Sequence, residues 1–308
     1  MKTISVLVPC YNESGSLPLL FEELEKVANE CSTYAWEYIF VNDGSSDETL
    51  SILRRLRASC SRVNYLDLSR NYGKEIAMMA GIDYATGDCL VIMDADLQHP
   101  PHIIKPMIVK WEEGYDDVYA KRLSRGKESH LRKKLSLWYY RILSKYSRLA
   151  VLPNVGDFRL LDRKCIDALK QIRENNRYTK GMFSYIGFRK TSVEFETQDR
   201  VAGQSSMSYK ALFNLAIEGI LSHTTAPLRI ATFVGGLTSL LAFLYAIYEF
   251  FKALIVGDPV RGFPTLLIVI LLLGGLQLMA LGIIGEYLGR VYIETKHRPA
   301  YYIRTINE

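Results

Sequence analysis

Two stretches of this 308-residue chain, Ile230 to Phe251 and Pro264 to Ile284, carry almost no charge. Each is long enough to cross a hydrocarbon core of roughly 30 Å as a helix. Buried core helices would show the same composition, but two in succession with a short polar link point to a membrane. Orientation follows from flanking positive charge: Lys210, Arg229, Arg290, Lys296, Arg298 and Arg304 lie on one side, against Lys252 and Arg261 in the connecting loop. That imbalance places both termini in the cytoplasm. Tyr209 to His223, with Leu212, Phe213, Ala216, Ile217, Ile220 and Leu221 at helical spacing, reads as an interfacial helix leading into the first span. The expected division is a cytoplasmic domain over 1–208, a juxtamembrane helix over 209–227, a two-helix transmembrane region over 228–288 and a cytoplasmic tail over 289–308. Met1 to Val8 is too short for a cleavable leader.

The first part of the chain alternates strand and helix. Ile4 to Pro9, Glu37 to Val41, Val63 to Leu68 and a run beginning at Cys89 read as strands. Between them lie helical patterns over Leu17 to Cys31, from Asp47 to near Ser59, and from the Arg70-Glu75 turn through Ala85. Four strands with three intervening helices predict a parallel, doubly wound α/β sheet. Asp116 to Lys121 reads as a further edge or continuing strand, and a polar helix follows near Arg163 to Arg173. No GxGxxG and no GxxxxGK[ST] occurs in the turns, which argues against a dinucleotide dehydrogenase or a P-loop NTPase.

The fourth strand ends abruptly in Asp94-Ala95-Asp96-Leu97-Gln98-His99 before Pro100-Pro101. Open parallel sheets bind ligands outside the carboxyl ends of their strands. Two acids at i and i+2 can face one hard cation there, and Mg²⁺ or Mn²⁺ completed by substrate phosphates suits this ligand set. The alternative is that Asp94 and Asp96 merely cap the next helix.

Formal charge is +5 overall, but residues 121 to 148 alone hold ten Lys or Arg against Glu128. That segment is +9 and the remainder −4. Leu131 to Leu149 repeats apolar residues at spacings of three and four with basic residues opposite, an amphipathic helix for a membrane surface or for the sheet. With membrane segments present, lipid headgroups or a phosphorylated ligand suit this charge better than nucleic acid. Five scattered cysteines without a CxxC suggest reduced thiols, no disulfide framework and no zinc site.

Eight stretches in order carry a resemblance: VPCYNE at 8–13, VNDGSSDET at 41–49, RNYGKE at 70–75, MDADLQHPP at 93–101, AKRLSR at 120–125, VGDFRLLDR at 155–163, RVAGQS at 200–205 and GEYLGRVYIETKHRP at 285–299. Together with the two apolar segments they resemble family 2 glycosyltransferases of the GT-A fold, in the branch of dolichol-phosphate mannose synthases and bactoprenol glucosyltransferases. The resemblance implies a Rossmann-like GT-A domain followed by interfacial helices and two transmembrane helices. It implies inverting transfer of a hexose, glucose from UDP-glucose foremost, to undecaprenyl phosphate. GDP-mannose with dolichyl phosphate, an aminoarabinose donor, or a scaffold that binds nucleotide sugar without turnover stay open. By residue, the resemblance sets Pro9, Tyr11, Glu13 and Asp43 on the base and ribose of the donor, with Lys74 also at the nucleotide sugar. It sets Asp94, Asp96 and Gln98 on the metal and diphosphate, Arg122 and Arg125 near the phosphates, and Arg200 at the acceptor phosphate. Asp157 stands where the family logic places a catalytic base; it reads equally as a positioning group, because a phosphomonoester with a second pKa of ~6 is already largely ionised at neutral pH. Ser206 stands where the family often has Lys, which leaves Lys210 as an alternative phosphate contact. A flippase partner and a homotetramer are implied as well.

Overall fold

In a computed structural model the described residues are 1–123, 155–174, 179–195 and 262–307, with scattered positions between 231 and 255. Both predicted amphipathic helices, 131–149 and 209–223, lie outside them, as do Arg125, Arg200, Ser206 and Lys210. The chain forms two compact units, one of Met1–Leu215 with Arg298–Glu308 and one of Ala216–His297.

The first unit is built on an eight-stranded sheet. Its strands are β1 (Thr3–Cys10), β2 (Ala35–Asn42), β3 (Val63–Leu68), β4 (Cys89–Ile92), β5 (Asp117–Arg122), β6 (Val155–Asp162), β7 (Lys190–Phe195) and β8 (Ile303–Ile306). The spatial order is β7-β5-β6-β4-β1-β2-β3-β8. Helices α1 (Leu17–Glu30), α2 (Thr49–Ser59) and α3 (Lys74–Tyr84) are the crossovers of the first four strands, which pair in parallel. After β4 come a short 3-10 turn at Pro101–Ile103 and α4 (Ile104–Glu112), then α5 (Arg163–Gln171) behind β6 and α6 (Thr179–Tyr185) before β7.

Alternation along the strands explains why both faces are covered. Val6, Val8, Tyr38, Phe40 and Val91 point into one core with Leu20, Leu24, Leu53, Met107 and Trp111 from α1, α2 and α4. Leu7, Ile39, Val41, Leu90 and Ile92 point the other way, against Ala77, Met78, Ile166 and Phe183 from α3, α5 and α6. Gly81 lets α3 lie close on the sheet, since a Cβ there would stand 2.0 Å from Leu7 Cδ1.

The second half of the sheet departs from the sequence expectation. β6 runs antiparallel between β4 and β5, and β5 also pairs with β7, so the 116–121 strand is interior to the sheet and not an edge. A buried ion pair ties this half together. Arg159 Nη1 lies 3.1 Å from Asp117 Oδ2, and Lys190 Nζ lies 3.8 Å from the same oxygen. The Arg159 guanidinium also covers the Phe183 ring at 3.6 Å. Burial pushes the Asp117 carboxyl up against the opposing pull of Arg159 and Lys190. Asp117→Ala leaves a buried guanidinium without its carboxylate and is expected to destabilise the domain by about 3–5 kcal/mol. Thermal unfolding of the purified variant checks this; an unchanged midpoint refutes it.

In the second unit, α7 spans Phe263–Thr295. It outruns the predicted apolar stretch because no proline stands between Ile284 and Thr295, the helix runs through Gly285 and Gly289, and Glu286 and Arg290 pair at i,i+4. Of the two predicted spans, one segment among the described residues, Leu272–Thr295, is long and apolar enough to cross a membrane. Described positions of the other between 231 and 251 are helical.

Candidate active site

Polar loops follow β1, β2, β3 and β4 at one end of the sheet, and they are stitched to one another. Asn12, at a positive φ of 56°, accepts from Ser46 N at 2.9 Å, and its own N donates to Ser45 Oγ at 3.0 Å. Glu13 N donates to Thr49 Oγ1 and Ser14 N to Asp47 Oδ2. Tyr11 is half exposed on this platform, and the Glu13 carboxylate accepts from the Ser16 hydroxyl at 2.5 Å. Pro9 pairs opposite Val41 one residue before β1 ends at Cys10 opposite Asn42, and Asp43 N donates to Cys10 O just beyond.

Asp43 is buried, and its carboxylate takes the backbone N–H groups of Tyr72 and Gly73 at 2.7 and 2.8 Å. Burial raises its pKa, against the two amides and Arg70. Gly44, at φ 65°, is required here: a Cβ would stand 2.5 Å from Asn71 N. The β2 and β3 loops therefore touch through their backbones.

That contact delivers Lys74, the first residue of α3, to the tip of β4. Its Nζ lies 2.5 Å from Asp94 Oδ1 and 2.7 Å from Asp157 Oδ2. Burial alone would lower the Lys74 pKa, but the two carboxylates carry it above the ordinary lysine value. Residues 20 and 83 positions away in sequence thus share one ammonium.

Asp94 and Asp96 leave the strand as the carboxylate pair that the spacing predicts, and neither caps a helix. Asp96 Oδ1 accepts from Gln98 N at 3.1 Å within its own turn, while the 3-10 turn and α4 start at Pro101 and Ile104 without a side-chain cap. Leu97 holds the turn in a left-handed conformation with φ 59°. Gln98 is half buried beside it.

Sequence reasoning missed His99. Its ring is 2% exposed, set 5.1 Å from Phe158 and 5.6 Å from Phe195. Asp94, Asp96 and His99 each offer a ligand atom, all within 4.8 Å of one another. Arg122 Nη2 lies 3.1 Å from His99 Nε2, and a guanidinium can only donate, so Nε2 accepts. The neutral ring then carries its proton on Nδ1, 3.9 Å from Asp94 Oδ2. Burial keeps the His99 pKa below its ordinary value, with Arg122 and Lys74 acting the same way against Asp94 and Asp96. As placed, His99 is held by Arg122 on one side, and its buried Nδ1 faces Asp94 without a hydrogen bond. A histidine directly after a candidate metal turn was the available signal.

The oxygen donors of Asp94 and Asp96, close enough to share one ion, suit a hard divalent cation that takes the place of the Lys74 ammonium. The site therefore brings together Lys74, Asp94, Asp96, Asp157, His99 and Arg122, with Asp43 bracing the loop that carries Lys74.

The model of glycosyl transferase family 2 matches residues 5–170, and that of the GtrB C-terminal hairpin matches 226–291. The chain belongs to glycosyltransferase family 2. Among the relatives of this family 2 member, a bactoprenol glucosyl transferase of Shigella phage SfV is 42% identical, over 98% of each chain. A prophage bactoprenol glucosyl transferase homolog of Escherichia coli is 41% identical over 99% of each, and a glycosyltransferase of Synechocystis is 43% identical over 97% of this chain and 94% of its own. Glucosyl-3-phosphoglycerate synthase from Mycobacterium tuberculosis, solved with Mn²⁺, UDP-glucose and phosphoglyceric acid, shares 16% identity at a TM-score of 0.49 over 71% of this chain and 78% of its own.

Proposed function

We propose that this family 2 enzyme transfers a hexose, glucose from UDP-glucose, to a polyisoprenyl phosphate of the undecaprenyl type at the cytoplasmic face of a membrane. The observation that carries the reading is the 42% identity to a bactoprenol glucosyl transferase across 98% of both chains.

The described residues supply a chemistry for it. Pro9, Tyr11, Glu13 and Asp43 edge the stitched loops where a nucleoside would lie, and carboxylates suit ribose hydroxyls and a ring N–H. Asp94 and Asp96, with Gln98, would hold Mg²⁺ or Mn²⁺. A bound divalent ion supplies Lewis-acid stabilisation of the nucleoside diphosphate as it leaves. Arg122 offers a guanidinium fork to the phosphates, and Arg125 and Arg200, outside the described residues, would by the sequence resemblance add one there and one at the acceptor. The lipid phosphate, largely dianionic at neutral pH, attacks the anomeric carbon as the bond to the diphosphate breaks, giving a β-linked product from an α-linked donor. Asp157, held by Lys74 at 2.7 Å, orients that attack. The hairpin model over 226–291 supports a helical pair there, and the excess of flanking Lys and Arg on the domain and tail side supports cytoplasmic termini.

The test is transfer of radiolabelled sugar from a panel of UDP- and GDP-sugars to undecaprenyl phosphate in detergent, with Mn²⁺ or EDTA. The expected result is lipid-linked product from UDP-glucose that EDTA abolishes. Nucleotide binding without product from any donor overturns the reading.

A further inference from the structure

The end of the chain is an edge strand wired to the loops of the candidate donor site. β8 pairs antiparallel with β3, Leu66 facing Ile306 and Asp67 facing Thr305, and a register shift follows between Asp67 and Leu68. Next to that irregularity Arg304 reaches two targets. Its Nη1 lies 3.4 Å from Oδ2 of Asp67, a buried carboxylate, and its Nη2 donates to Ser69 O at 2.8 Å. The other Asp67 oxygen accepts from Asn42 Nδ2 at 2.7 Å, and Asn42 Oδ1 accepts from Ser45 N at 3.3 Å. Ser69 N donates to Tyr302 O at 2.9 Å, and Ser69 Oγ shares a hydrogen bond with Tyr72 OH.

One guanidinium thus serves both loops that Asp43 joins. Through Asp67 and Asn42 it braces the turn after β2; through Ser69 it braces the start of the loop that ends at Lys74. We propose that Arg304 is a positioning residue for the donor site, which makes the last strand a working part of that site and not only a cover for the sheet edge. The inference rests on the reading that these loops receive the nucleotide. A planar fork suits the task because it meets a carboxylate and a carbonyl at once, which a lysine cannot do in the same geometry.

Tyr301 supplies the control. Its hydroxyl donates to Asp83 Oδ2 on α3 at 2.8 Å, a tail contact that involves neither loop. Arg304→Ala, Arg304→Lys and Tyr301→Phe are made in the full chain, and two quantities are read: amide hydrogen exchange without ligand, and UDP affinity. Arg304→Ala is expected to speed exchange at residues 69–73 by about tenfold while Val6 and Leu7 in β1 stay protected. UDP binding should weaken about fivefold, or ~1 kcal/mol at 1.4 kcal/mol per tenfold. Arg304→Lys should recover part of both, and Tyr301→Phe should change neither. Unchanged exchange at 69–73 overturns the coupling of tail to loop. Faster exchange there with unaltered UDP affinity overturns the positioning role, whereas UDP that binds the unsubstituted chain without slowing exchange at 69–73 overturns the assignment of these loops to the donor. Equal effects from Tyr301→Phe reduce the strand to general stabilisation of the edge.

Discussion

Asp94→Asn is expected to lower sugar transfer by about a hundred- to a thousandfold, the usual effect of removing one preorganised electrostatic contact from a transition state. The substitution keeps the shape of the side chain and removes its charge. Asp94 sits at the open tip of β4 with 28% of its side chain exposed, beyond the last paired residue Ile92. The hydrophobic cores therefore stay as they are, and the unfolding midpoint should move little, as for surface changes of ~0.5 kcal/mol. What is lost is an anionic oxygen for a divalent ion and one of the two carboxylates on Lys74. Turnover measured against Mn²⁺ concentration should show a flattened, right-shifted response. A variant with normal turnover and a normal metal response would remove Asp94 from the chemistry.

How much of this was legible before the fold was known depends on distance along the chain. β1 to β4 could be read because strands covered on both faces are short apolar runs, and the intervening helices announce themselves by periodicity. The place of β5 could not. Its neighbours β6 and β7 lie tens of residues away, and nothing within DVYAKR says that it becomes interior. β8 is four residues, IRTI, in a stretch that local pattern leaves as tail; only the β3 edge makes it a strand. At the site, Asp94 and Asp96 were visible as a spaced pair ending a strand. The sharing of Lys74 between Asp94 and Asp157 was not, because it depends on where α3 begins relative to β4 and β6. Asp43 shows the same limit: its motif marks it as a binding residue, but its hold on the Tyr72 and Gly73 amides appears only when two loops meet over Gly44.

Lys74→Met should move metal binding and turnover in opposite directions. The ammonium occupies Asp94 Oδ1 at 2.5 Å, so any cation that takes that oxygen must displace it. The ammonium and a divalent ion also repel, and unit charges ~4 Å apart at an intermediate dielectric differ by about 4 kcal/mol. With 41% of the Lys74 side chain exposed, solvent screening cuts this to about 1.4 kcal/mol, or a tenfold gain in Mn²⁺ affinity. Turnover should nonetheless fall by roughly ten- to a hundredfold, the range for loss of a group that orients its neighbours, because Asp157 loses the partner that fixes it at 2.7 Å. Mn²⁺ binding followed by electron paramagnetic resonance, without donor or acceptor, gives the first quantity independently of activity. If Lys74 instead helped to build the metal site, both quantities would fall together. If it were only a surface partner of the carboxylates, neither would change, and the bridge from Asp94 to Asp157 would have no part in transfer.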